Sequence, residues 1–326
     1  MKRYLPLVTG ALIIAAIIGS LSIGATHIDN FWSELVHPGR NEILWQIRVP
    51  RISAALIIGA ALGVAGLMAQ GACNNALAEP SIVGTSAGAA LATVIAILFG
   101  VVQVGSLGAI TFGVLGALLA TNLTFKLAAL RSGLTSFALI IVGIALTAIL
   151  TAIVGISTTM VTRADARSIS FWNFGSLSLV TQNNLVGILI TAVLGIGLAY
   201  KIAPSLDQLS LGDSTAFHLG VNVKNTRWLA LVALSIAAGG AVSTVGTIAF
   251  LGLAAPHIAR FIYGPAHRFL VVQSALIGGL ILLLSDTVAR SIAQPNELPI
   301  GLVTSIIGAP ILIALVSLRN TVWKTQ

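Results

Sequence analysis

The sequence predicts an all-α, polytopic membrane protein of about ten transmembrane helices, and three observations carry that reading. Of its 326 residues, 57% are hydrophobic and 8% charged, whereas a soluble domain has about a quarter of its residues charged. Mean hydropathy is +1.02. The apolar runs are unbroken rather than alternating, which favours helices over a barrel, since only those two structures satisfy their backbone polar groups in lipid.

Runs of about 20 apolar residues cross the hydrocarbon core at 1.5 Å rise per residue. Such runs fall near 5–24, 52–72, 84–102, 107–130, 135–157, 184–203, 227–245, 247–263, 269–289 and 300–318. The first follows Met1-Lys2-Arg3 and is expected to be a retained helix, because its length to Gly24 exceeds a signal-peptide core and no small-x-small cleavage site follows. Residues 25–47 form an outer connection carrying His27, Asp29, Trp32, Glu34, His37 and Trp45. Two histidines without a third ligand nearby do not make a metal site, and the tryptophans suit a membrane interface.

Arg48 and Arg51 stand at the start of the second span, whose Gly59, Gly63 and Gly66 recur at helical spacing and let a neighbouring helix approach closely. Gly113, Gly116, Gly143, Gly278 and Gly279 repeat that device. The second span ends in a polar turn with Asn75, Glu79 and Pro80, and a Gly/Ser/Ala-rich segment returns to the membrane. The lone cysteine, Cys73, excludes an internal disulfide and reads as a packing residue. Beyond the fifth span, Arg163 and Arg167 precede Phe171, Trp172 and Phe174, either an outer mouth for an anionic or aromatic solute or an interfacial helix lying flat.

The longest inner connection, about 204–226, contains Leu211-Gly212-Asp213 through Ala216, Leu219 and Gly220. Its apolar residues recur at helix-like spacing and it lacks a lysine-rich face, so docking to another protein is preferred over lying on lipid. Further on, Pro256 is expected to break or kink the eighth span, with His257 just beyond it as an interfacial structural residue or a proton relay. Asp286 and Arg290 are spaced i, i+4 and are expected to pair. The tenth span is expected to be interrupted at Gly308-Ala309-Pro310 and to line a pathway.

The net charge of +8 comes from residues scattered over short loops without a basic stripe, which argues against nucleic acid as a partner. With the N-terminus inside and ten crossings, eleven lysines and arginines fall inside and six outside, in keeping with the positive-inside rule. Both termini are then cytoplasmic. The outer set is entirely arginine: Arg40, Arg48, Arg51, Arg163, Arg167 and Arg290. Guanidinium groups pair bidentately with carboxylates, which suggests recognition as well as snorkelling to headgroups.

No phosphate-binding loop, H-E-x-x-H or G-x-S-x-G motif occurs, and ionisable residues are nearly absent from the span interiors. The chain is expected to be a transport subunit with no enzyme activity and no cofactor of its own. An ion- or proton-coupled secondary transporter acting alone is the alternative, and a membrane enzyme or scaffold finds least support.

Eight motifs in order give the chain a family resemblance: WQIRVPR at 45–51, NALAEP at 75–80, VGTSAGA at 83–89, LGDSTAFHLGV at 211–221, GTIAFLGLAAPH at 246–257, Asp286 with Arg290, ELPIG at 297–301 and GAP at 308–310. The chain resembles the permease subunits of bacterial ABC importers for iron-siderophores, haem and cobalamin, the FecCD type. The resemblance implies one permease domain over 1–326 in the bacterial cytoplasmic membrane, with an inverted repeat of spans two to five and seven to ten. It implies pairing with a second copy or a paralogous permease, two ATPase subunits holding ATP and Mg2+, and an extracytoplasmic substrate-binding protein. On this reading Arg48, Arg51 and Arg290 receive that protein's glutamates, and 211–220 docks to the ATPase. Two departures stand out: Asn75-Ala76 where the family has Asn-Pro, and Asp213 where it has glutamate.

Overall fold

The computed structural model describes residues 5–24, 31–103, 105–130, 135–160, 169–294 and 296–323, and all regular structure among them is helical. In chain order the helices are α1 (Leu5–Ser22), α2 (Phe31–Val36), a π-helical turn (Ile43–Arg48) running into α3 (Val49–Ala72), α4 (Thr85–Leu98), α5 (Leu107–Ala129) and α6 (Ser136–Thr159). They continue as α7 (Gln182–Leu209), α8 (Asp213–His218), α9 (Val223–Val245), α10 (Leu251–Tyr263), α11 (His267–Ile292) and α12 (Ile300–Trp323). Six are long and apolar enough to cross a membrane: the π-turn with α3, then α5, α6, α7, α9 and α11. Shorter apolar helices cover Val8–Ser22, Thr85–Leu98 and Ile300–Ala314.

Two helices form the heart of the bundle. In α3 and α9, 78% of the most apolar stretch is buried, against 22% in α6. Burial this deep requires close backbone approach, and glycine supplies it. A Cβ on Gly59 would lie 2.7 Å from the Cα of Gly279, and one on Gly239 would lie 2.8 Å from the Cα of Val114, so α3 packs on α11 and α9 on α5 without side chains between them. The exposed face of α6, with Ile141, Ile144, Ile149 and Ile156, is apolar and is left to lipid or a partner.

The structure departs from the sequence-based expectation in four places. The second span starts upstream of Arg48 and Arg51, which are therefore part of the helix and do not stand ahead of it. Pro50 gives no N–H to the turn before it, and that turn is π-helical. The eighth span begins only at Leu251. Residues 246–250 are non-helical, with Phe250 at φ 64°; Thr304 Oγ1 donates to Ala249 O at 2.9 Å, and Ser176 N–H donates at 2.8 Å to the carbonyl of Val245, the last residue of α9. Pro256 does not break α10, which continues to Tyr263. Nor is α12 interrupted at Gly308-Ala309-Pro310; the helix runs through, and a Cβ on Gly308 would lie 2.9 Å from the Cβ of Phe250, so that glycine accommodates packing.

Candidate functional site

The polar side chains gather at two ends of the bundle with a small cavity between them. At the first end lie Arg48, Arg51 and Arg290, all three buried. A helix leaves its last carbonyls without partners, and cations near them are favoured by the helix dipole. The C-terminus of α1 is finished in this way. Arg48 Nη1 donates to Leu21 O at 2.6 Å, Arg290 Nη1 to Ile23 O at 2.6 Å, and Arg290 Nη2 to Ser20 O and, at 2.8 Å, to Ser20 Oγ. Arg51 faces the other way and grips two carboxylates. Its Nε and Nη2 donate to Asp286 Oδ1 at 2.9 and 2.8 Å, while Nη1 and Nη2 donate to the two Glu297 oxygens at 2.7 and 2.9 Å.

Asp286 is fully buried. The expected i, i+4 pair with Arg290 is present as an ion pair at 3.5 Å, but the hydrogen bonds of Asp286 go to Arg51. Glu297 keeps 33% of its side chain exposed and forms the rim of the network. Sequence reasoning brought the three arginines together but left Glu297 out as a partner; the signal available was an acidic residue standing just before the last span.

The cavity, of about 230 Å3, is lined by Glu79, Ser81, Ser86, Thr147, Thr151 and Asn173 among others. Burial pushes the Glu79 carboxyl above the ordinary carboxylate range, and its bond from the Ser81 hydroxyl opposes that shift. Pro80 is buried beside it and Asn75 is exposed. The turn closes without the family's proline, because Asn75 N–H donates to Gln70 O at 3.1 Å and Asn75 Oδ1 accepts from Leu77 N–H at 2.9 Å. Cys73 is buried among small residues; burial raises its thiol pKa to about 12, with the Arg227 charge acting the other way, so it is inert. Pro256 is buried in α10, and His257 Nδ1 lies 3.0 Å from Leu253 O, one turn back on the same helix. Trp172 is also buried, with its Nε1 donating to Thr244 O at 3.4 Å. Arg163 and Arg167, expected beside it, lie outside the described residues.

At the second end, α8 stands between two glycines with positive φ, Gly212 at 100° and Gly220 at 85°. The residues expected to share a face divide here. Ala216 is fully buried against the bundle, while Leu211, Leu219 and, unanticipated, Phe217 are exposed, Phe217 at 70%. Asp213 turns inward to Arg227 Nη2 at 2.9 Å. Arg227, a charge in the first turn of α9, was missed in the sequence, although its entry into an apolar span implies a buried partner. Nearby, Asp207 Oδ1 accepts the His267 backbone N–H at 2.8 Å, which caps α11, and Arg260 Nη2 donates to Gln70 Oε1 at 3.0 Å. No group of three metal-ligating side chains occurs among the described residues.

Residues 9–318 match the family model described as the FecCD transport family. The chain is 37% identical over 299 residues to the iron(3+)-hydroxamate import system permease protein FhuB of Bacillus subtilis, which covers 89% of this chain and 77% of that protein. It is 35% identical to the vitamin B12 import system permease protein BtuC of Vibrio cholerae, over 90% of this chain and 87% of that one. Among solved structures, a metal-chelate type ABC transporter in an inward-facing conformation superposes with a TM-score of 0.83 at 29% identity, over 97% of this chain and 99% of the other.

Proposed function

The chain belongs to the FecCD transport family and is the permease subunit of an ABC importer for iron chelates or cobalamin, and from that premise we propose how its two ends are used. ATP hydrolysis resides in a separate partner, and the permease works beside a second permease and a substrate-binding protein. The chain crosses the bacterial cytoplasmic membrane ten times with both termini in the cytoplasm, as an inverted repeat of α3–α6 and α9–α12. Support comes from a helix at each expected span position and from the positive-inside count. A second copy of the chain, or a paralogue, pairs with it in the membrane.

The end with Arg48, Arg51 and Arg290 receives the binding protein. A carboxylate of that protein reaches Arg51 by exchanging with Glu297, the partner at the exposed rim. Arg48 and Arg290 hold the end of α1 in place beneath the contact. The segment 204–226 docks to the ATPase, and the observation that carries this reading is the exposed apolar knob made by Phe217 on a six-residue helix with Leu211 and Leu219 beside its two ends. Asn75, Glu79, Pro80, Pro256 and His257 belong to the cytoplasmic gate that the docking segment moves. Trp172, with Arg163 and Arg167, stands near the substrate mouth.

The named relatives divide between iron(3+)-hydroxamate and vitamin B12 import, so the substrate class is a large metal chelate: a ferric siderophore, haem or cobalamin. Reconstitution in vesicles tests the whole reading. With the binding protein outside and the ATPase subunits present, uptake of one of those three chelates requires ATP. Accumulation by the permease alone under an imposed ion gradient overturns it in favour of a secondary carrier.

A further inference from the structure

We propose that Arg227 is the positioning residue that carries movement of the docking helix α8 to α3 and α6, the elements that wall the internal cavity. The proposal rests on the reading that α8 meets the ATPase. Arg227 is 1% exposed and heads the fully buried side chains in size. Its guanidinium reaches three elements at once. Nη2 donates to Asp213 Oδ1 at the start of α8 (2.9 Å) and to Ser136 Oγ at the start of α6 (3.1 Å), and Nε donates to Ala72 O at the end of α3 (3.1 Å).

The chain links α8 directly only to α7 and α9, on which it also packs. Ser136 and Ala72 lie 91 and 155 residues from Arg227 in sequence, so their tie to α8 runs through space. A planar guanidinium holds its donors in one rigid fork, and a displacement of Asp213 therefore turns the bonds to both other acceptors together.

What lies beyond those acceptors gives the arrangement its use. From Ser136, α6 runs to Thr147, Thr151 and Val154 on the cavity wall, and Thr147 Oγ1 donates to Ser81 O at 2.7 Å. From Ala72 the chain passes through the Asn75 turn to Glu79, Pro80 and Ser81, which form the facing wall. One buried arginine thus joins the docking helix to both sides of the cavity. Of the six long helices, α6 is the least buried.

The test uses the complete importer with its ATPase subunits in lipid nanodiscs. Replacing Cys73 with serine gives a cysteine-free chain, and spin labels go at the exposed Ile149 of α6 and Val193 of α7. In the parent chain the distance distribution between the labels is expected to shift from the nucleotide-free to the vanadate-trapped state. In Asp213→Ala and Ser136→Ala, which leave Arg227 in place, the ATPase still co-purifies and hydrolyses ATP, but the shift is lost; Arg227→Lys behaves likewise. A parent chain with no shift, or Asp213→Ala and Ser136→Ala variants that shift as the parent does, overturns the proposal. Loss of ATPase co-purification in Asp213→Ala also overturns it, by assigning Asp213 to the docking contact itself. Phe217→Asp checks the underlying reading separately: if the ATPase still co-purifies with that variant, α8 is not its docking element.

Discussion

The two polar ends of this permease solve opposite problems with the same residue type. At one end Arg51 is clasped between Asp286 and Glu297, with Arg48 and Arg290 closing α1 beside it, so that charge is buried, matched and nearly sealed. At the other, Arg227 is as deeply buried, but its carboxylate partner Asp213 is half exposed and sits on a six-residue helix with apolar side chains turned outward. Removing one member of a buried pair strands the other charge, whereas a pair with one foot in water loses little. On the functions proposed above, the first end is a structural clamp with a single exchangeable rim, and the second a lever.

The comparison breaks most visibly at Arg51. Arg51→Ala leaves Asp286 buried without its principal cation and is expected to cost about 3–5 kcal/mol, read as a large fall in the thermal midpoint of the detergent-solubilised protein. Asp213→Ala at the other end is expected to cost less, because Arg227, although left buried without that carboxylate, keeps its bonds to Ser136 and Ala72. Equal losses in the two variants would mean that the ends do not differ in the way the burial suggests. An effect of a different kind, confined to binding, is expected for Phe217→Asp. Losing an exposed aromatic anchor costs about 2 kcal/mol at an interface, or roughly 30-fold in ATPase affinity, with the midpoint unchanged.

Glu297 sharpens the contrast within the first end. If the rim carboxylate is the one exchanged, Glu297→Gln weakens the internal competitor for Arg51. Affinity for the loaded binding protein is then expected to rise by up to about tenfold at low salt, and the gain should shrink as salt screens the contact. Titration calorimetry at two ionic strengths checks both parts. Lower affinity in the variant would instead make Glu297 part of the receiving surface.

The helices were legible because lipid makes backbone satisfaction local: each apolar run has to close its own hydrogen bonds, so run length alone located them. The irregular stretch at 246–250 was not, since Thr304, which meets its backbone at Ala249, lies 55 residues away and no local pattern marks it. Pro256 and Pro310 misled for a related reason. A missing N–H breaks an isolated helix, but packing on neighbours carries α10 and α12 through. At the site, Arg48, Arg51 and Arg290, singled out in the sequence, do lie together, yet nothing there showed that Arg51 spans 235 residues to Asp286 and 246 to Glu297. Pairing of this kind is set by the topology, and sequence spacing exposes only the i, i+4 contact, which proved the weaker one.

Between the ends, Glu79, on the wall of the cavity, offers the mildest test. Burial raises its carboxyl pKa and the Ser81 hydroxyl partly offsets that. A carboxyl whose folded pKa lies above its unfolded value stabilises the fold fully below the unfolded pKa, and that contribution is lost as pH rises through the folded one. The thermal midpoint of the parent protein is thus expected to drift down as pH climbs from the ordinary glutamate range through the raised one, while Glu79→Gln, which stays neutral throughout, lacks that component. Parallel pH profiles for the two proteins would show that Glu79 ionises at no cost. The cavity wall would then owe nothing to a buried neutral carboxyl.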